Sequence, residues 1–302
     1  TISNMAELLA MKQFLTRCIN GKVPDGLMMT TKEKIMRKSG ILMHVTSLPG
    51  PYGIGSMGKC AYEFVDFLKE AKQSWWQMLP VGPTSYGDSP YQSFSTFAGN
   101  PYFISLEALV EEGVLTQEEC EAADWGSDPT RVDYEKLYHN RYPLLRKAYE
   151  RSNVYQDEAY QQFIAENGWW LNDYALFMAL KNYFGGKSWS EWPEDIRLRW
   201  KNALDYYRRE LYFDVEFQLY MQFKFFQQYK KLRAYANKQG IRIVGDIPIY
   251  VSMDSADTWA NPQLFQLDEE NKPIAVAGCP PDGFSATGQL WGNPLYRWDY
   301  HK

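Results

Sequence analysis

The feature that most constrains the fold is a strand, a helix and a second strand that follow one another over residues 41–82. "ILMHVTS" (41–47) and "WWQMLPVG" (75–82) are short apolar segments bounded by turn residues, which is typical of buried strands. Between them, "GKCAYEFVDFLKEA" (58–71) has the spacing of an amphipathic helix. Its apolar face is formed by Ala61, Phe64, Val65 and Leu68. A strand, a crossover helix and a strand predict a parallel α/β unit.

A third strand follows only after a long helical stretch. The pattern is mostly helical from about residue 105 to 235, and "IRIVGDIPIYV" (241–251) is then β-branched and apolar. The insertion of so many helical residues between two strands predicts a subdomain. Three parallel strands cannot close a barrel, so we expect either a small open sheet or a chain that stops partway through a larger domain, with an unpaired strand edge in both cases.

Charge and composition exclude several classes of function. The net charge is −5 and the pI about 5.4, which argues against nucleic acid or an anionic membrane as a partner. The four cysteines form no CxxC pair, so the sequence favours reduced thiols and predicts no metal site. No apolar run is long enough to span a bilayer, and the first thirty residues lack the order of a secretory signal. We therefore expect a cytoplasmic protein.

An aromatic loop, "YGDSPYQSFSTFAGNPYF" (86–103), comes directly after the second strand. Loops beyond the carboxyl ends of parallel strands commonly carry the ligand site. The residues allow two interpretations equally well: a rigid loop whose rings pack on the helical region, or a platform for sugars. Sugars need flat rings for their C–H faces and short polar groups for their hydroxyls. The loop supplies both in Tyr86, Asp88, Ser89, Tyr91 and Gln92.

Acidic and aromatic residues follow the third strand. Asp246 ends that strand, and a carboxylate there belongs to an active site more often than to a structural hydrogen bond. In "DSADTW" we expect Asp254 or Ser255 to be the N-cap of a short helix, with Asp254 and Asp257 acting as caps or facing solvent. Residues 275–300 are predicted to form a Gly- and Pro-rich loop. It is either an ordinary surface loop or a ligand-binding one, with candidates Asp282, Phe284, Gln289, Trp291 and Asn293.

Other motifs give weaker indications. "GIGSMG" matches G-x-G-x-x-G and suggests an NAD-binding oxidoreductase. However, "SLPGPY" separates it from the strand, and the second strand does not end near an acidic residue, so a tight loop and helix start are favoured. His44 lies on the first strand, where a satisfied core or near-site imidazole is favoured over a catalytic base. The sequence contains no HExxH, Walker A or G-x-S-x-G motif.

Four long blocks resemble one family. "SGILMHVTSLPGPYGIGSMG", "WWQMLPVGPTSYGDSPYQSFSTFAGNPYFISLEAL", "GDIPIYVSMDSADTWANPQLFQLD" and "AGCPPDGFSATGQLWGNPLYRWD" are similar to the 4-α-glucanotransferases of glycoside hydrolase family 77, called amylomaltase or disproportionating enzyme. The resemblance implies a (β/α)₈ TIM barrel with helical insertions, of which this chain carries the N-terminal strands. The implied segments are an irregular or appended segment (1–38), the first part of the barrel (39–104), a helical insertion subdomain (105–235), and a barrel strand with an active-site loop (236–302).

The resemblance also implies the chemistry. These enzymes cleave an α-1,4 link in a maltooligosaccharide, hold the glycosyl part covalently and pass it to the 4-OH of another sugar, with retention. Retention uses two carboxyl groups about 5–5.5 Å apart, one a nucleophile and one an acid/base. The expected partner is therefore an α-glucan of the starch or glycogen type. We expect no cofactor and no metal, and the resemblance gives no oligomeric state.

Individual roles follow from matching positions. Tyr91 would contact the sugar on the donor side of the cut with Ser89 nearby, and Tyr86 would stack on glucan at a secondary site. Asp246 would be a supporting carboxylate. The loop over the donor and acceptor subsites would include Asp282, Phe284, Gln289, Trp291 and Asn293.

The family's nucleophile has no match in this chain. It lies in an Arg-x-Asp-His-Phe-Arg-Gly-like block, and no segment of the 302 residues reads like that block or supplies the later acid/base Glu. We therefore expect the N-terminal portion of a glucanotransferase, inactive alone. The alternative is a non-catalytic maltodextrin-binding fragment or half of a split enzyme.

Overall fold

The computed structural model describes residues 37–85 and 87–301. Within the chain, Ser39–Lys302 form one compact unit. Nearly all of the segment predicted as appended, 1–38, and the candidate stacking residue Tyr86 lie outside the described residues. The fold described below is that of this unit.

A three-stranded parallel sheet is the frame of this unit. Its strands are β1 (Gly40–Leu42), β2 (Trp75–Gln77) and β3 (Arg242–Val244), in the order β1-β2-β3. Ile41, Trp76 and Ile243 stand side by side in register. Helix α1 (Lys59–Glu70) connects β1 to β2 and buries its apolar face. The predicted strand–helix–strand unit and the third strand are confirmed, although each strand is shorter than its apolar segment.

Helices fill the chain between β2 and β3. In chain order they are α2 (Leu106–Glu111), α3 (Gln117–Glu121), α4 (Tyr134–Arg151), α5 (Glu158–Tyr183), α6 (Glu194–Arg197), α7 (Lys201–Glu210) and α8 (Tyr212–Lys238). The two longest, α5 and α8, pack against each other. Both are buried along much of their length, because their apolar and aromatic residues extend round more than one face. A short helix, α9 (Ala256–Ala260), follows β3.

Residues 275–300 were predicted to be a loop, and this prediction was wrong in part. They contain an antiparallel hairpin of β4 (Val276–Cys279) and β5 (Gln289–Pro294). Gly278 faces Leu290 in this ladder, where an added side chain would meet the Gln289 carbonyl at 2.5 Å. The Gly and Pro residues that suggested a loop thus include one that permits close strand pairing.

Two buried glutamines of α8 fix the aromatic loop to the helices. The Gln222 amide accepts from the Gly99 N–H at 2.8 Å and donates to the Gly99 carbonyl at 2.9 Å. Gln228 does the same to Ser105, at 2.7 and 3.3 Å. Each side-chain amide takes the place of a backbone partner, so the backbone groups of Gly99 and Ser105 are satisfied.

The "GIGSMG" glycines form a tight loop. A Cβ on Gly55 would lie 1.9 Å from the Val45 carbonyl oxygen and 2.8 Å from that of Leu48. Gly58 is the N-cap of α1. The glycine spacing is therefore explained by close backbone packing.

We expect Gly55→Ala to lower the free energy of unfolding by about 1–3 kcal/mol, because the backbone must shift to admit the methyl group. Gly283→Ala is the matched control, since nothing lies within 4 Å of its added Cβ. Its effect should stay within about 0.5 kcal/mol. Urea denaturation of the two variants measures the difference, and equal values would refute the packing explanation.

Candidate functional site

A cavity of about 170 Å³ lies beyond the carboxyl ends of β2 and β3. Tyr91, from the loop after β2, and Asp246, from the loop after β3, both line it. The Tyr91 hydroxyl donates a hydrogen bond of 2.8 Å to Asp246 Oδ2. Two residues 155 positions apart in sequence are thus joined at one site.

Local backbone geometry explains where Tyr91 lies. Gly87 (φ 80°) and Asp88 (φ 54°) are both left-handed and turn the chain back on itself before it reaches Tyr91. Ser89 Oγ then accepts from the Tyr91 N–H at 3.3 Å. Ser89 thereby supports the Tyr91 backbone. It is absent from the residues that line the cavity.

Asp246 is oriented by two donors. Its Oδ1 accepts from the Ile247 N–H at 2.8 Å, and its Oδ2 accepts from Tyr91. The hydrogen bond to this carboxylate raises the pKa of Tyr91 above its ordinary value, with smaller contributions from burial and charge repulsion. The phenol therefore remains a donor at neutral pH, and the carboxylate is held in one orientation.

The rest of the cavity wall is mainly apolar. The loop after β2 contributes prolines, valine and Phe97, and α8 contributes three aromatic rings. Flat apolar surfaces beside a fixed carboxylate suit the C–H faces and hydroxyls of a sugar. These apolar residues are Pro80, Val81, Pro90, Phe97, Phe225, Phe226 and Tyr229.

The hairpin lies against the rim of this cavity. Tyr250 lines the cavity, and its ring centroid is 6.1 Å from that of Trp291. The Trp291 indole N–H donates to Gln289 Oε1 at 3.0 Å, and Asn293 donates to the Val251 carbonyl at 2.9 Å. Trp291 and Asn293 thus contact the wall residues Tyr250 and Val251, Gln289 contacts Trp291, and none of the three lines the cavity.

Two other predicted residues lie in the loop between the hairpin strands. Asp282 Oδ1 accepts from the N–H groups of Phe284 and Ser285 and so shapes the loop. The Phe284 side chain is 98% exposed. Neither Asp282 nor Phe284 lines the cavity.

Two aspartates near α9 have partners that the sequence did not predict. Of the two predicted N-caps of α9, Ser255 is confirmed, since its hydroxyl accepts from the Thr258 N–H, and Asp254 does not cap this helix. Asp254 instead pairs with the buried Lys181 at 2.6 Å. Asp257 is half-buried and accepts from the Thr96 N–H at 2.8 Å, and burial raises its pKa.

A second cavity of about 740 Å³ lies between the loop after β2 and helices α4, α5 and α8. Sequence reasoning missed it, although Tyr134, Tyr138 and Tyr142 recur every fourth residue and so share one face of α4. Asp88 lines this cavity, away from the Tyr91–Asp246 cavity.

His44 is a core residue. Burial lowers its pKa to about 4, so the ring is neutral at pH 7. It packs edge-on against Phe103, as expected for a core imidazole, but its Nδ1 has no hydrogen-bond partner within the described residues. The prediction of a core imidazole is confirmed, although no described residue bonds its Nδ1.

Neither a metal-binding cluster nor a membrane-spanning helix is found among the described residues. They contain no group of three or more His, Cys, Asp or Glu side chains arranged to hold a metal ion. Among their helices, none combines the length and the apolar character that a membrane span needs.

Comparison with known proteins identifies relatives over most of the chain. The chain is 54% identical over 265 residues to a 4-alpha-glucanotransferase of Streptococcus pneumoniae, covering 87% of this chain and 52% of that protein. It is 51% identical to a 4-alpha-glucanotransferase of Thermus thermophilus, covering 88% of this chain and 53% of the relative. The chain thus spans about half the length of the curated relatives it matches.

A solved structure shares the fold. An amylomaltase from Streptococcus agalactiae in complex with acarbose aligns with a TM-score of 0.85 and 46% identity, covering 88% of this chain and 54% of that one. A sequence model described as 4-alpha-glucanotransferase, glycoside hydrolase family 77, matches residues 43–302. Because this match extends over most of its length, the chain belongs to the 4-alpha-glucanotransferase family.

Proposed function

We propose that this chain is part of a 4-α-glucanotransferase that moves α-1,4-glucan segments between maltooligosaccharides, with retention through a covalent glycosyl-enzyme. The observation that carries the proposal is the Tyr91–Asp246 hydrogen bond in an apolar-walled cavity beyond the strand ends. Ligands in parallel α/β folds bind at this edge. The family to which the chain belongs supplies the reaction.

Asp246 acts in this proposal as a supporting carboxylate that orders the site. Retention requires two carboxyl groups about 5–5.5 Å apart, whereas Asp246 is the only acid among the described residues that line the cavity. The nucleophile and the acid/base therefore come from the half of the relatives that this chain does not match. No cofactor or metal enters the scheme.

The fold proposal is a (β/α)₈ barrel of which β1, β2 and β3 are the first strands, with residues 105–235 as a helical insertion subdomain. Two observations support it. Leu42 and Val244 leave 55% and 38% of their surfaces exposed on the sheet. The outer edges of β1 and β3 have no partner strand within the described residues. Further strands and the barrel interior would cover these surfaces.

The aromatic rim supplies sugar contacts. Tyr91 contacts the donor sugar, supported by Ser89, and Trp291 with Gln289 and Asn293 forms a wall beside it. Asp282 and the exposed Phe284 belong to a loop that reaches over the bound glucan. We assign Tyr86 to a secondary glucan site, because its sequence neighbours Ser85 and Gly87 line the tyrosine-lined second cavity.

Sugar binding tests the proposal without needing turnover. Maltoheptaose at millimolar concentration should change the tryptophan fluorescence of the chain. Trp291→Ala should weaken binding about threefold to tenfold, because one stacking surface is lost. Trp200→Ala is the matched control, since Trp200 and Trp291 have similar exposed fractions, 49% and 44%, and Trp200 lies on the N-terminal side of α7.

Two outcomes would contradict the proposal. One is an unchanged spectrum at all sugar concentrations. The other is an equal loss of affinity in both tryptophan variants. NAD serves as a negative ligand, because an upward shift of the melting temperature with NAD would favour the dinucleotide interpretation of "GIGSMG".

A further inference from the structure

The loops that carry Tyr91 and Asp246 are connected at a second place. Asp257, in the first turn of α9, accepts a 2.8 Å hydrogen bond from the backbone N–H of Thr96. Directly beside it, the Ala256 N–H donates to the Phe94 carbonyl at 2.8 Å. The loop after β2 is therefore bonded to the loop after β3 both at Tyr91 and at residues 94–96.

Asp257 is not required for starting α9. Ser255 already caps that helix, and Thr258 reinforces the start through the Met253 carbonyl. Burial is costly for the Asp257 carboxylate and raises its pKa. This half-buried carboxylate accepts its hydrogen bond from the other loop, at Thr96, across the site.

Thr96 is itself a wall residue of the cavity that contains Tyr91 and Asp246. The Thr96–Asp257 bond therefore holds the aromatic loop in place at Thr96. Tyr91 lies earlier in the same loop, and its hydroxyl donates to Asp246. If this bond is lost, the Ala256–Phe94 and Gln222–Gly99 bonds still hold the loop on either side of Thr96, but the Thr96 peptide itself loses its anchor to the loop after β3.

We propose that Asp257 is a positioning residue, which holds the aromatic loop against the loop after β3 so that Tyr91 and Asp246 stay hydrogen-bonded. The proposed alignment of the two loops is argued only from the hydrogen bonds between them. Its consequence for glucan affinity rests on the proposed function.

The test reads the Tyr91–Asp246 bond directly. Tyrosine labelled with ¹³C at Cζ reports the titration of each phenol by NMR, and Tyr91→Phe assigns the Tyr91 signal. In the unmodified chain Tyr91 should titrate above its ordinary pKa, because it donates to a carboxylate. Asp257→Ala should abolish that upward shift. Asp257→Asn should keep it, because the amide oxygen still accepts from Thr96.

Asp257→Glu is a second variant that keeps the proposal testable if Asp257→Ala does not fold. It retains the acid but displaces the oxygens by about one methylene, roughly 1.5 Å, so it should lose part of the Tyr91 shift. The proposal is overturned if folded Asp257→Ala titrates like the unmodified chain at Tyr91. It is also overturned if Asp257→Asn loses the shift, or if Asp257→Glu keeps all of it.

Maltoheptaose titration separates this inference from the proposed function. The expected result is severalfold weaker binding for Asp257→Ala and unchanged binding for Asp257→Asn. If the unmodified chain binds no sugar while its Tyr91 shift still depends on Asp257, the proposed function fails and the positioning role stands.

Discussion

Glucose release from maltotriose by this polypeptide alone should equal that of a buffer blank, about 10⁴-fold or more below the rate of a complete 4-α-glucanotransferase. The reason is that retention needs a nucleophile and an acid/base, and removing one such group alone costs several orders of magnitude. Within the described residues, Asp246 is the single acid lining the proposed site. A coupled glucose assay is sensitive enough to detect the difference.

Mixing the chain with the unmatched half of a relative provides the positive control for this prediction. The half of the S. pneumoniae relative that the chain does not match, produced separately and mixed with it, should raise glucose release above the blank. Asp246→Asn in the mixture should remove the gain, whereas Asp205→Ala on the surface of α7 should not. A clear rate from the chain by itself would mean that the catalytic carboxylates lie within these 302 residues.

Asp254→Ala should lower the free energy of unfolding by about 3 kcal/mol. Its partner Lys181 is only 4% exposed, and removing one member of a buried ion pair leaves the other charge poorly compensated. Lys181 keeps hydrogen bonds to the carbonyls of Gly186 and Lys187, which holds the loss at the lower end of the usual range. Urea denaturation measures the change.

The matched control is an exposed pair of the same kind. Lys201 and Asp205 lie one helical turn apart with 89% and 48% of their side chains exposed. Asp205→Ala should therefore change the free energy of unfolding by about 0.5 kcal/mol or less. Equal losses in the two variants would show that the Lys181–Asp254 pair is no more valuable than a surface contact.

Residue patterns that repeat along one helix or strand predicted that element correctly, whereas most side-chain and strand pairings between elements were not predicted. The amphipathic spacing of α1 and the apolar character of the three strands predicted the parallel sheet, because burial of one face leaves a local pattern. The hairpin of β4 and β5 left no such pattern. Its strands pair across a Gly- and Pro-rich loop, and their alternation is interrupted at the bulge between Val276 and Gly278.

The candidate site likewise contains residues whose place the sequence predicted and residues whose role it did not. Strand ends predicted where Tyr91 and Asp246 would lie, since the topology of parallel strands brings such ends to one edge. The roles of Asp254 and Asp257 depend on Lys181 and Thr96, which lie far away in the chain. An acidic residue near a helix start looks the same in sequence whether it caps the helix, pairs with a lysine or bonds another loop.

The pairing of Gln222 and Gln228 with the aromatic loop has a consequence during protein synthesis. Each glutamine bonds a backbone unit 123 positions earlier in the chain. At about 5–20 residues per second, a ribosome needs roughly 6–25 s to supply these partners. Until then Gln222 and Gln228 cannot satisfy the backbone groups of Gly99 and Ser105, so this part of the nascent chain stays exposed to proteases and chaperones.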